Sequence, residues 1–268
     1  MNLYHIGVII ALVAFAGSSI LYLQSFSASP SRAKFQKIAY SLFLGATLLM
    51  SINTINIFNY SASHLISTFI LISAICWITV LAKSIFDFRM LGAFVAPFAM
   101  ILLLVQFLFF APHSPAETEA PSFLLYAHII TSVIGEAFAI ISCVLAIFYL
   151  MQQRAMKTKQ LDRLQAAQVP ISKLNSALMA TLWAGFVFLT SGLIMGAVYL
   201  QFFYVGDRES LMGKIIWAFA VWLWYLATLV CKNMANLPAK KLAWMTIVGF
   251  GLLVVGLFGI NNWSYVVG

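Results

Sequence analysis

The sequence has few charged residues, few cysteines and none of the short catalytic motifs common in soluble enzymes. Charged residues make up 8% of the 268 positions and hydrophobic residues 63%, which is too little polar surface for a soluble domain of this size. The 3 cysteines form neither C-x-x-C nor C-x-x-C-H, so a thioredoxin-like centre and self-attached c-type haem are excluded. Walker, G-x-G-x-x-G and H-E-x-x-H motifs are also absent, and we expect no enzymatic activity.

Long apolar runs are what the sequence does contain. Most are near the ~20 residues that a helix needs to cross ~30 Å of hydrocarbon. The runs cover residues 3–23, 38–58, 65–83, 90–111, 124–150, 176–203, 215–231 and 242–260. The sequence therefore predicts an all-α fold, a polytopic membrane bundle of eight transmembrane helices. We expect a single integral-membrane domain, with four helices in a variable part, 1–111, and four in a second part, 124–268.

The basic residues predict the orientation. Of the 15 Lys and Arg residues, all but Arg208 and Lys214 lie in alternate connections between the runs. Because positive charge near span ends stays in the cytoplasm, we expect both termini outside. The formal charge of +8 then reflects topology and implies no nucleic-acid partner. No positive charge precedes residues 3–23, so we expect a retained first span rather than a cleaved signal peptide.

The connection 151–175 is the longest on the predicted inner side. It carries five basic residues, Arg154, Lys157, Lys159, Arg163 and Lys173. Its pattern favours a short surface helix that ends at Pro170. We expect it to contact anionic lipid head groups, and the alternative is a docking site for a protein.

The fifth run contains the most informative polar residues. Glu136 is the only carboxylate in any apolar run, and His128 lies just inside the predicted outer end. At about 100° per residue, one sector of this helix collects small and polar side chains. They are His128, Ser132, Gly135, Glu136, Ala139 and Ser142. Such a stripe indicates either close helix packing with interhelical hydrogen bonds or a functional site; for Glu136 we expect protonation or a partner from another span.

Other polar candidates lie near the predicted outer face. The remaining histidines are His5, His64 and His113. Asn53 and Asn56 stand three residues apart near the end of the second span, and they either line an outward pocket or cap the helix. A neutral imidazole is a common ligand for haem iron, although no H-x-x-x-H pair marks a local metal site.

From about Leu125 onward, a set of short patterns carries a family resemblance. They are His128-Ile129, Pro170-Ile171-Ser172-Lys173-Leu174, Gly185-Phe186, Leu189-Thr190, Gly192 to Gly196, Lys214, Trp217 and Trp222-Leu223-Trp224-Tyr225. This half of the chain resembles the integral-membrane cytochrome c assembly family, which includes CcsA, CcmC, HemX and YpjD. Eight spans and the small size make it most similar to the YpjD and HemX group.

The resemblance implies a haem site that has lost several of its usual parts. In members that present haem, a segment ending in W-D-P-K-E-x-W cradles it; here the segment reads Leu211-Met212-Gly213-Lys214-Ile215-Ile216-Trp217, which keeps only the lysine and the last tryptophan. His128 matches the first outer axial histidine. The second outer histidine falls within Asn261-Asn262-Trp263-Ser264-Tyr265, and the intramembrane histidine falls on Val230. A bis-histidine site would need His5, His64 or His113.

Two functions follow. In the first, the protein handles haem or takes part in cytochrome c biogenesis: His128 binds the haem iron, Lys214 lies near the propionates and Trp217 lies against the ring. Its partners would be the lipid bilayer and other cytochrome c assembly proteins. In the alternative, the protein is a carrier or an auxiliary or regulatory subunit of another membrane system, and Glu136 acts in a midplane cavity.

Overall fold

A computed structural model of the protein describes residues 3–25, 32–57, 63–86, 88, 91–109, 123–159, 170–204 and 209–263. All regular structure in these ranges is α-helical. The helices are α1 (Leu3–Gln24), α2 (Arg32–Ile57), α3 (Ser63–Phe86), α4 (Leu91–Phe109), α5 (Phe123–Lys157), α6 (Ile171–Phe202), α7 (Glu209–Met234) and α8 (Ala239–Trp263). All 8 are long and apolar enough to cross a membrane, which confirms the predicted class. The protein is a multi-pass membrane protein.

Several helices continue past the apolar runs that predicted them. The second begins at Arg32 rather than near residue 38, and the fifth ends at Lys157 rather than near residue 150. A helix keeps its backbone hydrogen bonds after its side chains become polar, so the loss of hydrophobicity marks the edge of the hydrocarbon and not the end of the helix. The predicted surface helix falls largely on residues 160–169, outside the described residues.

The helices form two compact units of four. In unit 1, α1 packs on α2 and α4, and α3 also packs on these two helices. In unit 2, α5 and α7 each pack on both α6 and α8. The helices of unit 2 therefore follow one another around a ring, in which α5 and α7 stand diagonally opposite.

Candidate functional site

The contact between α5 and α6 is made by small side chains that bring the two backbones close together. A Cβ added to Gly135 would come within 2.8 Å of the Leu189 side chain, and one added to Gly185 would come within 3.1 Å of Phe138 Cβ. Further along, the Ser142 hydroxyl donates a hydrogen bond to the Thr181 hydroxyl, at 2.9 Å. We call this contact, from His128 to Ser142 on α5 and from Thr181 to Gly196 on α6, the α5–α6 seam. Residue numbers rise on one helix as they fall on the other, so the pair is antiparallel.

His128 occupies the end of this seam where α5 begins and α6 ends. Its ring lies over Gly196, where an added Cβ would come within 2.8 Å of both Cε1 and Nδ1. One turn along, the Ser132 side chain lies over Gly192 in the same manner. Glycines at these two positions leave space for an imidazole and a hydroxyl between the helices. The predicted polar stripe is therefore a packed interface over this stretch.

The hydrogen bond that His128 makes determines which ring nitrogen carries the proton. Its Nδ1 lies 2.8 Å from the carbonyl oxygen of Gly192. A carbonyl oxygen only accepts, so Nδ1 must be the donor, and the neutral ring then carries its lone pair on Nε2. The Ser132 hydroxyl oxygen lies 3.4 Å from the same Nδ1 and does not compete for Nε2. Metal-ligating histidines are oriented in this way, with one nitrogen held by a carbonyl and the other on the metal.

Glu136 is the member of the predicted stripe that does not lie on the seam. Glu136 lies eight residues after His128. At about 100° per residue its side chain points about 80° away from the direction of the His128 side chain. Cys143, seven residues further on, shares the direction of Glu136 and is buried. Glu136 is half-buried, and it makes no hydrogen bond or ion pair with any residue in the described helices. It is thus an interior carboxyl group with no protein partner in the described structure.

Trp217 is seated on α8. Its indole Nε1 donates a hydrogen bond to the Leu252 carbonyl oxygen, at 2.9 Å, and its ring lies over Gly256. Lys214, one turn earlier on α7, is exposed. No contact in the described structure joins His128 to Lys214 or Trp217, because His128 is held by α6 whereas Trp217 is held by α8.

The other aromatic residues of α7 also serve helix packing. Trp222 donates to the Thr190 hydroxyl of α6 at 2.9 Å and stacks on Phe186, with 5.7 Å between ring centroids. Trp224 donates to the Met245 carbonyl of α8, also at 2.9 Å. The aromatic run that carries part of the family resemblance therefore links α7 to both of its neighbours.

The remaining candidate residues belong to unit 1. Asn53 is buried, with its amide against the backbone of Gly7, whereas Asn56 is exposed. The His5 ring packs edge-on against Phe107, with 6.4 Å between centroids. The side chain of His64 and the whole of His113 lie outside the described residues. In the described helices, no three His, Cys, Asp or Glu side chains converge as a metal site would require.

The packing of the His128 ring over Gly196 is the part of the site that sequence reasoning missed. Gly192 and Gly196 were visible as part of the family patterns, but nothing in one helix says which side chain of another helix will lie over its glycines. An antiparallel match of His128 and Ser132 on α5 with Gly196 and Gly192 on α6, both four residues apart, is the signal that was available.

These observations define the class of the protein: a helical membrane protein with an oriented histidine in its second unit. Residues 61–267 match the family model described as Cytochrome C assembly protein. The match covers most of the chain, so the protein belongs to this family. It begins before Leu125, where the resemblance was expected to begin, and it takes in α3 and α4 of unit 1.

Individual relatives match a shorter stretch. The chain is 36% identical over 89 residues to the cytochrome c biogenesis protein CcsA of Prochlorococcus marinus (strain NATL1A), which is 33% of this chain and 28% of that protein. It is 31% identical over 99 residues to the CcsA of Synechococcus sp. (strain RCC307), or 37% of this chain and 32% of that protein. The chain thus spans about a third of the length of these relatives.

Proposed function

We propose that this protein handles haem in cytochrome c biogenesis and that His128 binds the haem iron through Nε2. The observation that carries the proposal is the bond from Nδ1 to the Gly192 carbonyl, because it leaves Nε2 as the free nitrogen of a held ring. Membership of the cytochrome c assembly family supports the same function. The proposal includes a bacterial inner membrane, both termini outside and a place in the YpjD and HemX group.

In this proposal, unit 2 would hold haem through one histidine ligand. The sequence of α5 to α8 contains no histidine besides His128. Val230, at the position of the family's intramembrane histidine, is an exposed apolar residue. Bound haem would supply the iron porphyrin that cytochromes carry, and the protein's own part is to hold and orient it. His128 would therefore be the one histidine of unit 2 to hold the haem iron.

Lys214 and Trp217 have different places in this proposal. The ammonium group of Lys214 is suited to a propionate, since it is an exposed cation with no ion-pair partner in the described structure. The Trp217 indole is already bonded to α8, so its contribution to haem binding is to hold α7 in place, together with any contact that its ring edge makes. Its direct contact with haem stays a prediction.

Glu136 supports a second candidate function. It points in the same direction as the buried Cys143, and it lacks a protein partner in the described helices. A carboxyl group in that setting is expensive to maintain and is a functional candidate by default. The alternative proposal is that the protein is a carrier, or an auxiliary or regulatory subunit. In that role Glu136 would bind a proton or a cationic group.

The test is the reduced-minus-oxidised optical spectrum of the detergent-purified protein from haem-replete cells. We expect a stoichiometric haem band that is lost in His128→Ala. Gly196→Ala should keep the histidine but displace its ring, because the new Cβ lies 2.8 Å from two ring atoms, and we expect a shifted band and weaker binding. Gly251→Ala is the matched control, since nothing lies within 4 Å of a Cβ at that position.

The proposal fails if the intact protein takes up no haem even when haem is added, or if His128→Ala retains the full band. In either case Glu136→Gln becomes the informative variant, because it keeps the shape of the side chain and removes its charge. Uptake by Gly251→Ala at the level of the unaltered protein shows that a glycine-to-alanine change in an α-helix of unit 2 is not harmful in itself.

A further inference from the structure

One end of unit 2 carries a concentration of basic side chains. Because α5 and α6 are antiparallel and the later helices follow with short connections, the ends of α5 and α7 and the starts of α6 and α8 lie together. We call this the basic end. Its cations are Arg154, Lys157, Lys159, Lys173, Lys232, Lys240 and Lys241. Every one of the four helices contributes at least one of them.

These cations have almost no counter-charge in the described structure. Lys232 donates a hydrogen bond to the Leu237 carbonyl, at 2.9 Å. The other six are exposed, and none forms an ion pair or a side-chain hydrogen bond with a described residue. Within the parts of α5 to α8 whose side chains the structure describes, the only acidic residue is Glu136, at midhelix. Among the described residues, the basic end is therefore a positive surface without a counter-charge.

Two helix N-termini add to the positive field. Pro170 precedes α6 and gives it no side-chain cap, so the first backbone N–H groups have no side-chain acceptor from that residue. The start of α8 lies at the same end. Helix N-termini favour anions, because their free N–H groups and the positive end of the helix dipole point outward.

Exposed apolar side chains border this surface. Trp244, near the start of α8, is 54% exposed, and Met234, at the end of α7, is 82% exposed. Tryptophan is enriched where head groups meet acyl chains, since its ring is apolar and its N–H is polar. Cations beside a tryptophan and a methionine provide the chemistry for a phosphate head group and its acyl chain together.

We infer that the basic end of unit 2 binds the head groups of anionic phospholipids. Retention of positive charge in the cytoplasm accounts for the side on which these residues lie; the exposed Trp244 and Met234 beside them add apolar contact for the acyl chain of a lipid. This inference does not depend on haem binding at the other end of the unit.

The experiment compares lipid association by the full-length protein in nanodiscs of phosphatidylcholine containing a small fraction of fluorescent phosphatidylglycerol. We expect enrichment of phosphatidylglycerol beside the protein, and a decline in enrichment as salt shortens the screening length. The variant Lys173→Gln with Lys240→Gln should lower the relative affinity for phosphatidylglycerol roughly tenfold. The matched control is Lys34→Gln with Lys37→Gln, which removes two exposed lysines of unit 1.

Equal association with the two lipids, or an equal loss in the control, would overturn the inference. So would inorganic phosphate that displaced phosphatidylglycerol at millimolar concentration, because the surface would then bind free anions rather than a lipid. The charge-conserving variant Lys173→Arg with Lys240→Arg should retain the preference. The salt titration on the unaltered protein keeps the test valid if the glutamine variant fails to fold.

Discussion

The two helix pairs of unit 2 use glycine in the same way and receive different side chains. On α6, Gly196 and Gly192 receive the His128 ring and the Ser132 side chain of α5. On α8, Gly256 receives the Trp217 ring of α7. In each pair the ring, of His128 or Trp217, also donates a hydrogen bond to a backbone carbonyl of the helix that it lies on. Because the two contacts are built in the same way, a difference in function between them must come from the ring that lies on the glycine.

An imidazole has a second nitrogen and an indole does not. After bonding to the Gly192 carbonyl, His128 still has the lone pair of Nε2. After bonding to the Leu252 carbonyl, Trp217 has no polar group left. We therefore propose iron binding for His128 on the α5–α6 seam, whereas the indole N–H of Trp217 is used up in a structural hydrogen bond between α7 and α8. Three changes test this contrast.

The largest effect is expected from alanine at the glycine beneath Trp217. In Gly256→Ala the new Cβ would overlap the indole, and we expect the free energy of unfolding to fall by about 1–3 kcal/mol. The measurement is an unfolding titration in SDS, with Gly251→Ala as control. Gly196→Ala should be destabilised too, but it alone should alter the haem spectrum; an altered spectrum in Gly256→Ala would break the contrast between the two pairs.

A smaller effect is expected when the indole N–H is removed without removing the ring. Trp217→Phe loses the hydrogen bond to Leu252, and we expect a loss of about 1 kcal/mol in unfolding free energy. Haem content, read from the same spectrum, should remain at the level of the unaltered protein. A loss of haem with normal stability would instead make Trp217 a direct contact of the porphyrin.

The smallest effect is expected in the middle of the α5–α6 seam. Ser142→Ala removes the hydrogen bond to Thr181, and interhelical hydrogen bonds in membranes average about 0.6 kcal/mol. A double-mutant cycle with Thr181→Val should recover this coupling. Ser191→Ala is the control, because the Ser191 hydroxyl bonds to Val187 of its own helix. No coupling in the cycle would mean that packing alone stabilises this part of the seam.

How far the sequence predicts the molecule depends on whether a feature lies in one helix or between two. The eight spans could be predicted because the bilayer imposes a length and an apolar composition on each segment separately. The polar stripe on α5 could also be predicted from one segment, because helical periodicity shows which residues share a face of the helix. The periodicity does not show what that face contacts. Glu136 shows the limit: a sector of 120° includes both the residues that contact a neighbour and those beside it, and only the position of that neighbour separates them.

The assignment of the tryptophans could not be predicted in this way. Trp217 and Trp224 bond to α8, while Trp222 bonds to α6. Trp217 lies five residues before Trp222 and Trp224 lies two residues after it, and the α-helix turns their side chains toward different neighbours. Their role as packing residues follows from the carbonyl or hydroxyl that each N–H reaches, and those acceptors lie 21 to 35 residues away in the chain.

The sequence by itself determined that the protein is a helical membrane protein, with the eight spans found in the described residues, because burial in lipid selects composition segment by segment. Together with its family patterns it also identified His128 and Glu136 as the polar residues to examine. Only the tertiary structure decided that Nε2 of His128 has no partner among the described residues, that Glu136 has none there either and that Trp217 is held by α8. Proton position and partnership depend on which backbone approaches each side chain, and close approach of backbones is a property of packed helices rather than of any one segment.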